Sequence, residues 1–445
     1  MQDVQLFKIY DIRGIYPQEL DATTAQRAGR AIAAFFKSRK LVVGRDGRTS
    51  SPSLSRALIA GILEQGVNVI DVGLVPTPTL YHLAVQQALP GVMVTASHNP
   101  KEYNGFKCCS PQGLLIYRGI GLEKIEHIFN KGSFGVVIKK GKLARQPGMA
   151  RYLRYLWSRF RKVDFGGISV VLDFSNGVGA AAAPIFDKVG IKNKKIAARI
   201  DGRFPSHGPN PLLPSATAQL SNAIRRAGAD AGAIFDGDAD RVLFCDERGR
   251  LIPSDFIFLL LAKAELEAGR RGNFYYDLRF SRVVEEELAG IKGVRAKVMR
   301  VGNPFYKEAL LHDRRGLLGY EWSGHIMYKE NHNLDDGIYG ALKLFELLAA
   351  KEQKLSALVK PYQRYLASSE LNFKVKDRAS ALLAVERAFK GRKIKRIDGL
   401  TVYGRDYWFN LRLSATEPLL RLRIEAKSRA ALRAGKRKLR RIIRK

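Results

Sequence analysis

The segment from Leu41 to Val72 reads LVVGRDGRTSSPSLSRALIAGILEQGVNVIDV, and its pattern decides the fold class. Two runs rich in β-branched residues, Leu41 to Gly44 and Val67 to Val72, are typical of buried strands. Between them, Leu54 to Glu64 carries apolar residues at helical spacing. A strand, a helix and a second strand in this order predict an α/β layer with a largely parallel sheet.

The same alternation continues on both sides of this segment. A helix is predicted over Ala22 to Phe36 with Asp21 as its N-cap, and a third strand over Val92 to Thr95. Farther along, strands are predicted over Ile168 to Asp173 and Val294 to Met299, and helical patterns are predicted in the neighbouring stretches of sequence. From about residue 371 the composition shifts to basic helical stretches around two strand candidates, which indicates an α+β unit.

The chain is therefore predicted to hold three tandem α/β domains and a smaller α+β domain at its carboxyl end. The predicted boundaries are 1–150, 151–252, 253–368 and 369–445.

The composition of the 445 residues, with 46% hydrophobic and 27% charged residues, is that of an ordinary globular protein. The apolar stretch from Phe256 to Ala262 is far shorter than the roughly 18 residues that a membrane span needs. The amino terminus lacks the pattern of a secretory signal. Three cysteines, two of them adjacent, predict neither a disulfide framework nor a thiolate metal site, so a reducing cytoplasm is expected.

The charge is unusual, because 76 lysines and arginines against 42 aspartates and glutamates leave a net charge of +34. Residues 427–445 hold ten basic residues and no acid, while Leu432, Leu439, Ile442 and Ile443 are spaced for one helix face. Two interpretations stay open for this run. It is either a surface for nucleic acid or another polyanion, or a solvated helix whose apolar face packs on the last domain.

Three aspartates, Asp236, Asp238 and Asp240, alternate in the motif DGDADR after an apolar run. In extended backbone, alternate residues project to the same side, so the three carboxylates are expected to converge. Close carboxylates repel one another unless a cation lies between them, and oxygen-only ligands suit Mg²⁺. A solvated acidic turn or a calcium-type loop is the alternative.

The motif TASHNP, residues 95–100, follows a predicted strand and places Ser97 at the carboxyl edge of a sheet, where ligands of α/β proteins bind. Ser97 is a candidate nucleophile, and the adjacent His98 is a candidate partner. The alternative is a hydroxyl and an imidazole that only shape the loop.

Two further polar loops are candidate recognition elements. Glu321, Ser323 and His325 lie in a glycine-bounded loop whose composition suits sugar hydroxyls or an ordinary turn. Near the carboxyl end, the run RLSATEP places Arg412, Ser414 and Thr416 in one loop; such a set can bind a phosphate or form a proline-terminated turn.

Together these loops are similar to those of the α-D-phosphohexomutases, and most closely to their bacterial phosphomannomutase/phosphoglucomutase branch. The resemblance extends over essentially the whole chain. The segments that carry it are FKIYDIRG (7–14), VVGRDGRTSSP (42–52), TASHNP (95–100), YNGFK (103–107), DGDADR (236–241), GYEWSGH (319–325) and RLSATEP (412–418).

The resemblance implies a phosphotransferase that interconverts hexose 1-phosphate and hexose 6-phosphate, with mannose or glucose as the sugar, in a central cleft between the domains. It also implies that Ser97 carries a phosphoryl group and that Mg²⁺ binds Ser97, Asp236, Asp238 and Asp240. A hexose 1,6-bisphosphate is the implied intermediate and activator. The oligomeric state is left open.

The same resemblance implies roles for the remaining candidates. Lys107 would transfer a proton with a pKa lowered by nearby arginines, and Arg13, Arg241 and His325 would support the reacting phosphate or hydroxyl. The implied substrate-binding residues are Glu321, Ser323, Lys307, Asn303, Arg412, Ser414 and Thr416.

Three positions depart from the family pattern. Asn303 replaces a usual histidine, Ala415 a usual asparagine and Trp322 a common methionine, which bears on proton transfer, phosphate binding and sugar preference respectively. Two alternatives are kept: a phosphoglucosamine mutase, and a polyanion-binding protein on a mutase scaffold.

Overall fold

The computed structural model describes residues 6–134, 137–414 and 418–444. These residues form four β-sheets in chain order, each accompanied by helices. Thr416 and Ala415 of the predicted phosphate loop lie outside the described residues.

The first sheet is mixed, in the order β1-β5-β4-β2-β3-β6. β4, β2, β3 and β6 run parallel, whereas β5 is antiparallel to β4 and to β1. The strands are β1 (Ile12–Ile15), β2 (Lys40–Arg45), β3 (Asn68–Leu74), β4 (Gly91–Val94), β5 (Tyr103–Cys109) and β6 (Leu143–Arg145). The helices are α1 (Ala22–Phe36), α2 (Ser51–Glu64), α3 (Thr77–Gln87) and α4 (Leu122–Lys131).

The predicted strand–helix–strand unit is confirmed in this sheet. Helix α1 has the predicted bounds, and the carboxylate of Asp21 caps it by accepting a 2.7 Å hydrogen bond from the Thr24 amide. Helix α2 begins at Ser51, three residues before the predicted start, because Pro52 is well suited to the first turn of a helix.

The second sheet has the order β11-β10-β9-β7-β8, with β9, β7 and β8 parallel. Its strands are β7 (Ser169–Asp173), β8 (Lys192–Ile196), β9 (Ala231–Phe235), β10 (Val242–Asp246) and β11 (Leu251–Ile252). The helices of this part of the chain are α5 (Met149–Phe160), α6 (Pro184–Lys188) and α7 (Pro214–Ala227).

The third sheet has the order β13-β12-β14-β15, and only β15 is antiparallel to its neighbour. Its strands are β12 (Asn273–Asp277), β13 (Arg295–Met299), β14 (Gly316–Tyr320) and β15 (Ile326–Tyr328). Its helices are α8 (Ser254–Glu267), α9 (Val283–Leu288), α10 (Asn303–His312), α11 (Gly337–Lys351) and α12 (Leu355–Val359).

The second and third sheets share one hydrophobic core. A continuous cluster of buried side chains extends from Tyr152 of α5 through Phe235 of β9 and Phe258 of α8 to Phe345 of α11. Helix α8 is buried along almost its whole length because it lies within this shared core. The loops at the ends of β9 and β14 are consequently held in a fixed relation to each other.

The fourth sheet is antiparallel, in the order β16-β21-β20-β19-β18, with β17 also paired to β21. Its strands are β16 (Leu366–Ala367), β17 (Leu371–Phe373), β18 (Lys393–Lys395), β19 (Leu400–Tyr403), β20 (Tyr407–Leu413) and β21 (Leu420–Ala426). Its helices are α13 (Arg378–Ala388) and α14 (Arg429–Ile443). Strand β16 lies just before residue 369, where the predicted fourth domain begins.

Helix α14 lies within the basic carboxyl-terminal run. Leu439 and Ile443 are buried in the core of the fourth sheet, and Leu432 and Ile442 pack against that core. The predicted apolar helix face is therefore used for packing, and the arginines between these positions point outward. Within the described ranges, no helix is long and apolar enough to cross a bilayer.

We predict that Leu439→Ala destabilises the protein by about 2–5 kcal/mol, because the substitution leaves a cavity in a closed core. The change is measured as the free energy of unfolding in denaturant. Arg437→Ala, on the exposed side of the same helix, is the control and should change that free energy by less than about 0.5 kcal/mol. Equal effects of the two substitutions would contradict the packing of α14.

Candidate active site

The serine loop follows β4. Ser97 is 2% exposed and has a φ of 50°, a left-handed conformation that is uncommon for serine. Its Oγ donates a 2.7 Å hydrogen bond to Oδ2 of Asp236 and lies 3.3 Å from Nδ1 of His98. The two candidate motifs of the sequence, TASHNP and DGDADR, thus meet at the Ser97 hydroxyl.

The three aspartates follow β9 in a turn, so the predicted extended backbone is wrong. Ala239, with a φ of 60°, reverses the chain between Asp238 and Asp240. The carboxylates converge nevertheless, with one oxygen of each within 4.8 Å of the others, and all three side chains are buried. A Cβ at Gly237 would lie 2.5 Å from the Ser97 carbonyl, so only glycine allows this turn to approach the serine loop so closely.

Lys107, on β5, is the cation that faces this cluster. Its Nζ donates hydrogen bonds of 2.8 Å to Asp238 and 2.5 Å to Asp240. Burial alone would lower the pKa of Lys107, but the carboxylates of Asp238, Asp240 and Asp236 outweigh burial and raise it. The predicted lowering of this pKa is therefore wrong for this arrangement, because the groups that accept hydrogen bonds from Nζ are carboxylates.

The carboxylates themselves carry more negative charge than one lysine balances. Burial and the neighbouring Asp238 raise the pKa of Asp240 to about 6, and burial together with Asp240 and Asp238 raises the pKa of Asp236. Within the described part of the chain, Oδ1 of Asp238 and Oδ1 of Asp240 are buried without a hydrogen-bond partner. Unsatisfied buried carboxylate oxygens of this kind fit a divalent cation.

The neighbouring arginines and histidine border the same cluster. Nε of Arg241 donates a 2.9 Å hydrogen bond to Nε2 of His325 and lies 4.0 Å from both Asp236 and Asp240. Arg13 donates a 2.6 Å hydrogen bond to Oδ1 of Asn99 in the serine loop and pairs with Asp11. These guanidinium groups provide positive charge beside Ser97.

The third domain contributes a second polar cluster. Glu321 accepts hydrogen bonds from Ser323 Oγ at 2.8 Å and from the Gly302 amide at 3.1 Å. Lys307 and Asn303 both donate to Asp335, at 2.7 Å and 2.5 Å, and His325 Nδ1 lies 3.5 Å from the same carboxylate. Asp335 links these residues to the aspartate cluster through His325.

The fourth domain holds its candidate residues apart from the others. Arg412 is 4% exposed and donates a 2.9 Å hydrogen bond to Glu370, and the Ser414 amide bonds to the Leu419 carbonyl at 2.9 Å. Among residues 6–134, 137–414 and 418–444, no hydrogen bond or ion pair connects Arg412 or Ser414 to the aspartates. The structure thus brings the candidates of the first three domains together and leaves those of the fourth on a separate loop.

Sequence reasoning missed three residues of this site. Thr77, at the start of α3, donates a 2.6 Å hydrogen bond to Asp238. Asp335 accepts hydrogen bonds from Lys307 and Asn303. Arg48 donates hydrogen bonds to carbonyls of the serine loop. Arg48 lies inside a motif that carried the family resemblance, and Asp335 belongs to an Asp-Asp pair before a helix, so both positions had a signal in the sequence. Neither signal indicates which distant residue the side chain contacts.

Comparison with known proteins gives one consistent family. The sequence matches four models described as phosphoglucomutase/phosphomannomutase: the alpha/beta/alpha domains I, II and III over residues 4–136, 150–249 and 253–365, and the C-terminal domain over residues 370–442. The four matches occur in the order in which the family numbers its domains.

Full-length relatives support the same assignment. A phosphomannomutase of Methanocaldococcus jannaschii is 32% identical over 437 residues, which cover 95% of this chain and 94% of the relative. A phosphomannomutase/phosphoglucomutase of Pseudomonas putida is 34% identical, with coverage of 96% and 93%. The crystal structure of a family protein from Burkholderia thailandensis superposes with a TM-score of 0.89 at 30% identity, covering 100% of this chain and 98% of that one.

We predict that His325 is neutral at pH 7, because burial and the adjacent Arg241 lower its pKa to about 4. In the unfolded chain the pKa of a histidine is near 6.5, so between about pH 6.5 and pH 4 the unfolded state binds a proton at this side chain and the folded state does not. The free energy of unfolding therefore decreases as the pH falls from about 6.5 to about 4. The imidazole resonances, assigned by their loss in His325→Gln, should show no protonation at pH 6. Protonation of half the population at that pH would contradict this environment.

Proposed function

This chain belongs to the phosphoglucomutase/phosphomannomutase family of hexose phosphate mutases, and we propose that it interconverts hexose 1-phosphate and hexose 6-phosphate through a phosphoserine at Ser97. The observation that carries the proposal is the 2.7 Å hydrogen bond from Ser97 Oγ to Asp236 at the edge of the buried aspartate cluster. The hydroxyl that would accept the phosphoryl group therefore lies beside carboxylates that could bind a cation.

Mg²⁺ is the proposed cofactor, held by Asp236, Asp238, Asp240 and the oxygen of Ser97; when bound, it would neutralise charge on the transferring phosphoryl group. Fixed cations of the chain act in the same direction. Arg241 lies beside Asp236, and Arg13 is anchored to the serine loop through Asn99. Since phosphoryl transfer is catalysed chiefly by positioning and electrostatic stabilisation, such an array suits the reaction.

Lys107 is the proposed proton-transfer residue. The carboxylates around it favour its ammonium form, so it would hold a proton at Nζ and donate it to the oxygen that leaves as the phosphoryl group moves. His325, neutral and joined to Arg241, would support the reacting hydroxyl. In the reverse direction Lys107, neutral after this donation, would accept the proton of the attacking hydroxyl at Nζ.

The reaction also needs a sugar to react at both ends. We assign the sugar hydroxyls to Glu321 and Ser323, with Lys307 and Asn303 as further contacts on the same domain. A second, non-reacting phosphate would bind Arg412, Ser414 and Thr416 of the fourth domain. A hexose 1,6-bisphosphate that reorients between the Ser97 site and the fourth domain would present its other phosphate to Ser97. Transfer of that phosphate to Ser97 gives the net isomerisation.

The test is a mutase assay of purified protein with Mg²⁺, a trace of hexose 1,6-bisphosphate, and mannose, glucose or glucosamine 1-phosphate. We expect turnover of the mannose or glucose compound, a mass increase of one phosphate on the intact protein, and loss of both in Ser97→Ala. Ser158→Ala, an exposed serine on α5, is the matched control. Full turnover without phosphate on the protein would contradict the phosphoserine, and turnover of glucosamine 1-phosphate alone would favour the phosphoglucosamine mutase alternative.

We expect Asp238→Asn to bind Mg²⁺ at least tenfold more weakly than the parent protein, because the cluster then offers one carboxylate fewer. Isothermal titration of the two proteins measures the difference. Equal affinity, or full activity in excess chelator, would contradict the metal assignment.

A second property is supported by the charge of the fourth domain. Residues 369–445 hold 23 lysines and arginines against seven aspartates and glutamates, a net charge of +16 and almost half of the excess of the chain. Helix α14 uses its apolar face for the core, so its arginines are available to a partner. We propose that this surface binds nucleic acid non-specifically beside the mutase activity.

Binding to duplex DNA should weaken as salt rises, with a slope of log affinity against log salt of about −0.9 per phosphate contacted. Replacing the exposed Arg433, Arg437 and Arg441 with glutamine should flatten this slope and leave mutase turnover unchanged. A control with Lys139, Lys140 and Lys142 replaced by glutamine makes the same charge change on the first domain. An equal effect of both triple variants, or no binding at low salt, would show that α14 is only a solvated helix face.

A further inference from the structure

Arg48 is a fully buried arginine between β2 and α2, with 0% of its side chain exposed. Its guanidinium faces the loop that carries Ser97. Its Nη2 donates hydrogen bonds of 2.8 Å to the Ser97 carbonyl and 2.7 Å to the Asn99 carbonyl. Its Nη1 donates hydrogen bonds to the carbonyls of Pro100 at 2.7 Å and Tyr103 at 2.9 Å. One side chain therefore binds four backbone carbonyls between Ser97 and Tyr103, that is, in the serine loop and at the first residue of β5.

The counter-charge of Arg48 holds the other side of the Ser97 backbone. Asp46, whose Oδ2 lies 3.2 Å from Arg48 Nε, accepts a 2.7 Å hydrogen bond from the Thr95 hydroxyl. Thr95 Oγ1 in turn accepts a 2.9 Å hydrogen bond from the Ser97 amide. Both backbone groups of Ser97 are thus tied to one buried ion pair.

Residues of the second domain pack against the face of the Arg48 guanidinium. The Phe204 ring lies 5.0 Å from the guanidinium carbon, a cation–π contact. A Cβ at Gly202 would lie 2.6 Å from the Arg48 Cα, so this turn approaches the Arg48 backbone as closely as glycine permits. The aspartate turn and the support of Arg48 therefore come from the same domain.

From these contacts we infer that Arg48 is a positioning residue for phosphoryl transfer. It holds Ser97 in its left-handed backbone conformation, with the Oγ directed at the aspartate cluster. Conformations of this kind persist only where the surroundings determine them. The two terminal nitrogens of the guanidinium donate the four hydrogen bonds to carbonyls, and Nε lies within ion-pair distance of the Asp46 carboxylate. Lysine keeps the charge but has three donors and no planar fork, so it cannot replace this function. The inference rests on the proposed role of Ser97.

The test compares Arg48→Lys with the parent protein and with Arg56→Lys, an exposed arginine on α2. We expect Arg48→Lys to lower kcat at least 30-fold and the rate of Ser97 phosphorylation by the bisphosphate in parallel. KM for the hexose phosphate should change less than threefold, because the proposed sugar contacts lie on the third domain. Arg56→Lys should match the parent in all three measurements.

A second pair of variants covers the case in which Arg48→Lys does not fold. Thr95→Val removes the hydroxyl between Asp46 and Ser97, whereas Thr95→Ser keeps it. We expect kcat to fall at least tenfold in Thr95→Val and to recover in Thr95→Ser. Normal kcat in Arg48→Lys or in Thr95→Val, or a rise in KM with kcat unchanged, overturns the inference. If the parent protein itself takes up no phosphate, it is the role of Ser97 that fails.

Discussion

The burial of three carboxylates in one turn is the constraint on which the rest of the site depends. Asp236, Asp238 and Asp240 are each at most 1% exposed, and unpaired charge in such a place is costly. The ammonium of Lys107 and the hydroxyls of Thr77 and Ser97, all from the first domain, donate hydrogen bonds to these carboxylates. The contact between the first two domains is therefore an electrostatic necessity of the cluster, and it is this contact that brings the serine to the carboxylates.

The remaining two domains relate to this cluster in different ways. The third shares its hydrophobic core with the second, so His325 and Glu321 are held at a fixed distance from the aspartates. The fourth has its own core and joins the third through polar contacts, such as those from the Val301 amide to Asp398 and from Arg423 to Asp255. In the proposed function one phosphate of the substrate reacts at the aspartate cluster and the other is retained, and a strongly basic domain with its own core suits the retained phosphate.

Much of the site could be predicted from sequence because its motifs are local. DGDADR and TASHNP each follow an apolar run, and the carboxyl end of a strand is where such loops meet in an α/β protein. Two predictions about the site were wrong, one on the backbone of the aspartate motif and one on the pKa of Lys107. Asp236 to Asp240 converge through a turn with Ala239 at positive φ, not through extended backbone, and the pKa of Lys107 is raised because its nearest neighbours are carboxylates.

The sequence by itself indicated the strand–helix–strand unit of the first domain, the cap of α1 by Asp21 and the positions of the polar loops, since periodicity and turn chemistry involve residues close in the chain. Only the tertiary structure decided which loops meet. Lys107 and Asp238 are 131 residues apart, Arg48 and Ser97 are 49 apart, and nothing in either local pattern specifies its partner. Such pairs form because packed sheets bring particular loop ends together and buried charges must then be satisfied by whatever groups the packing supplies.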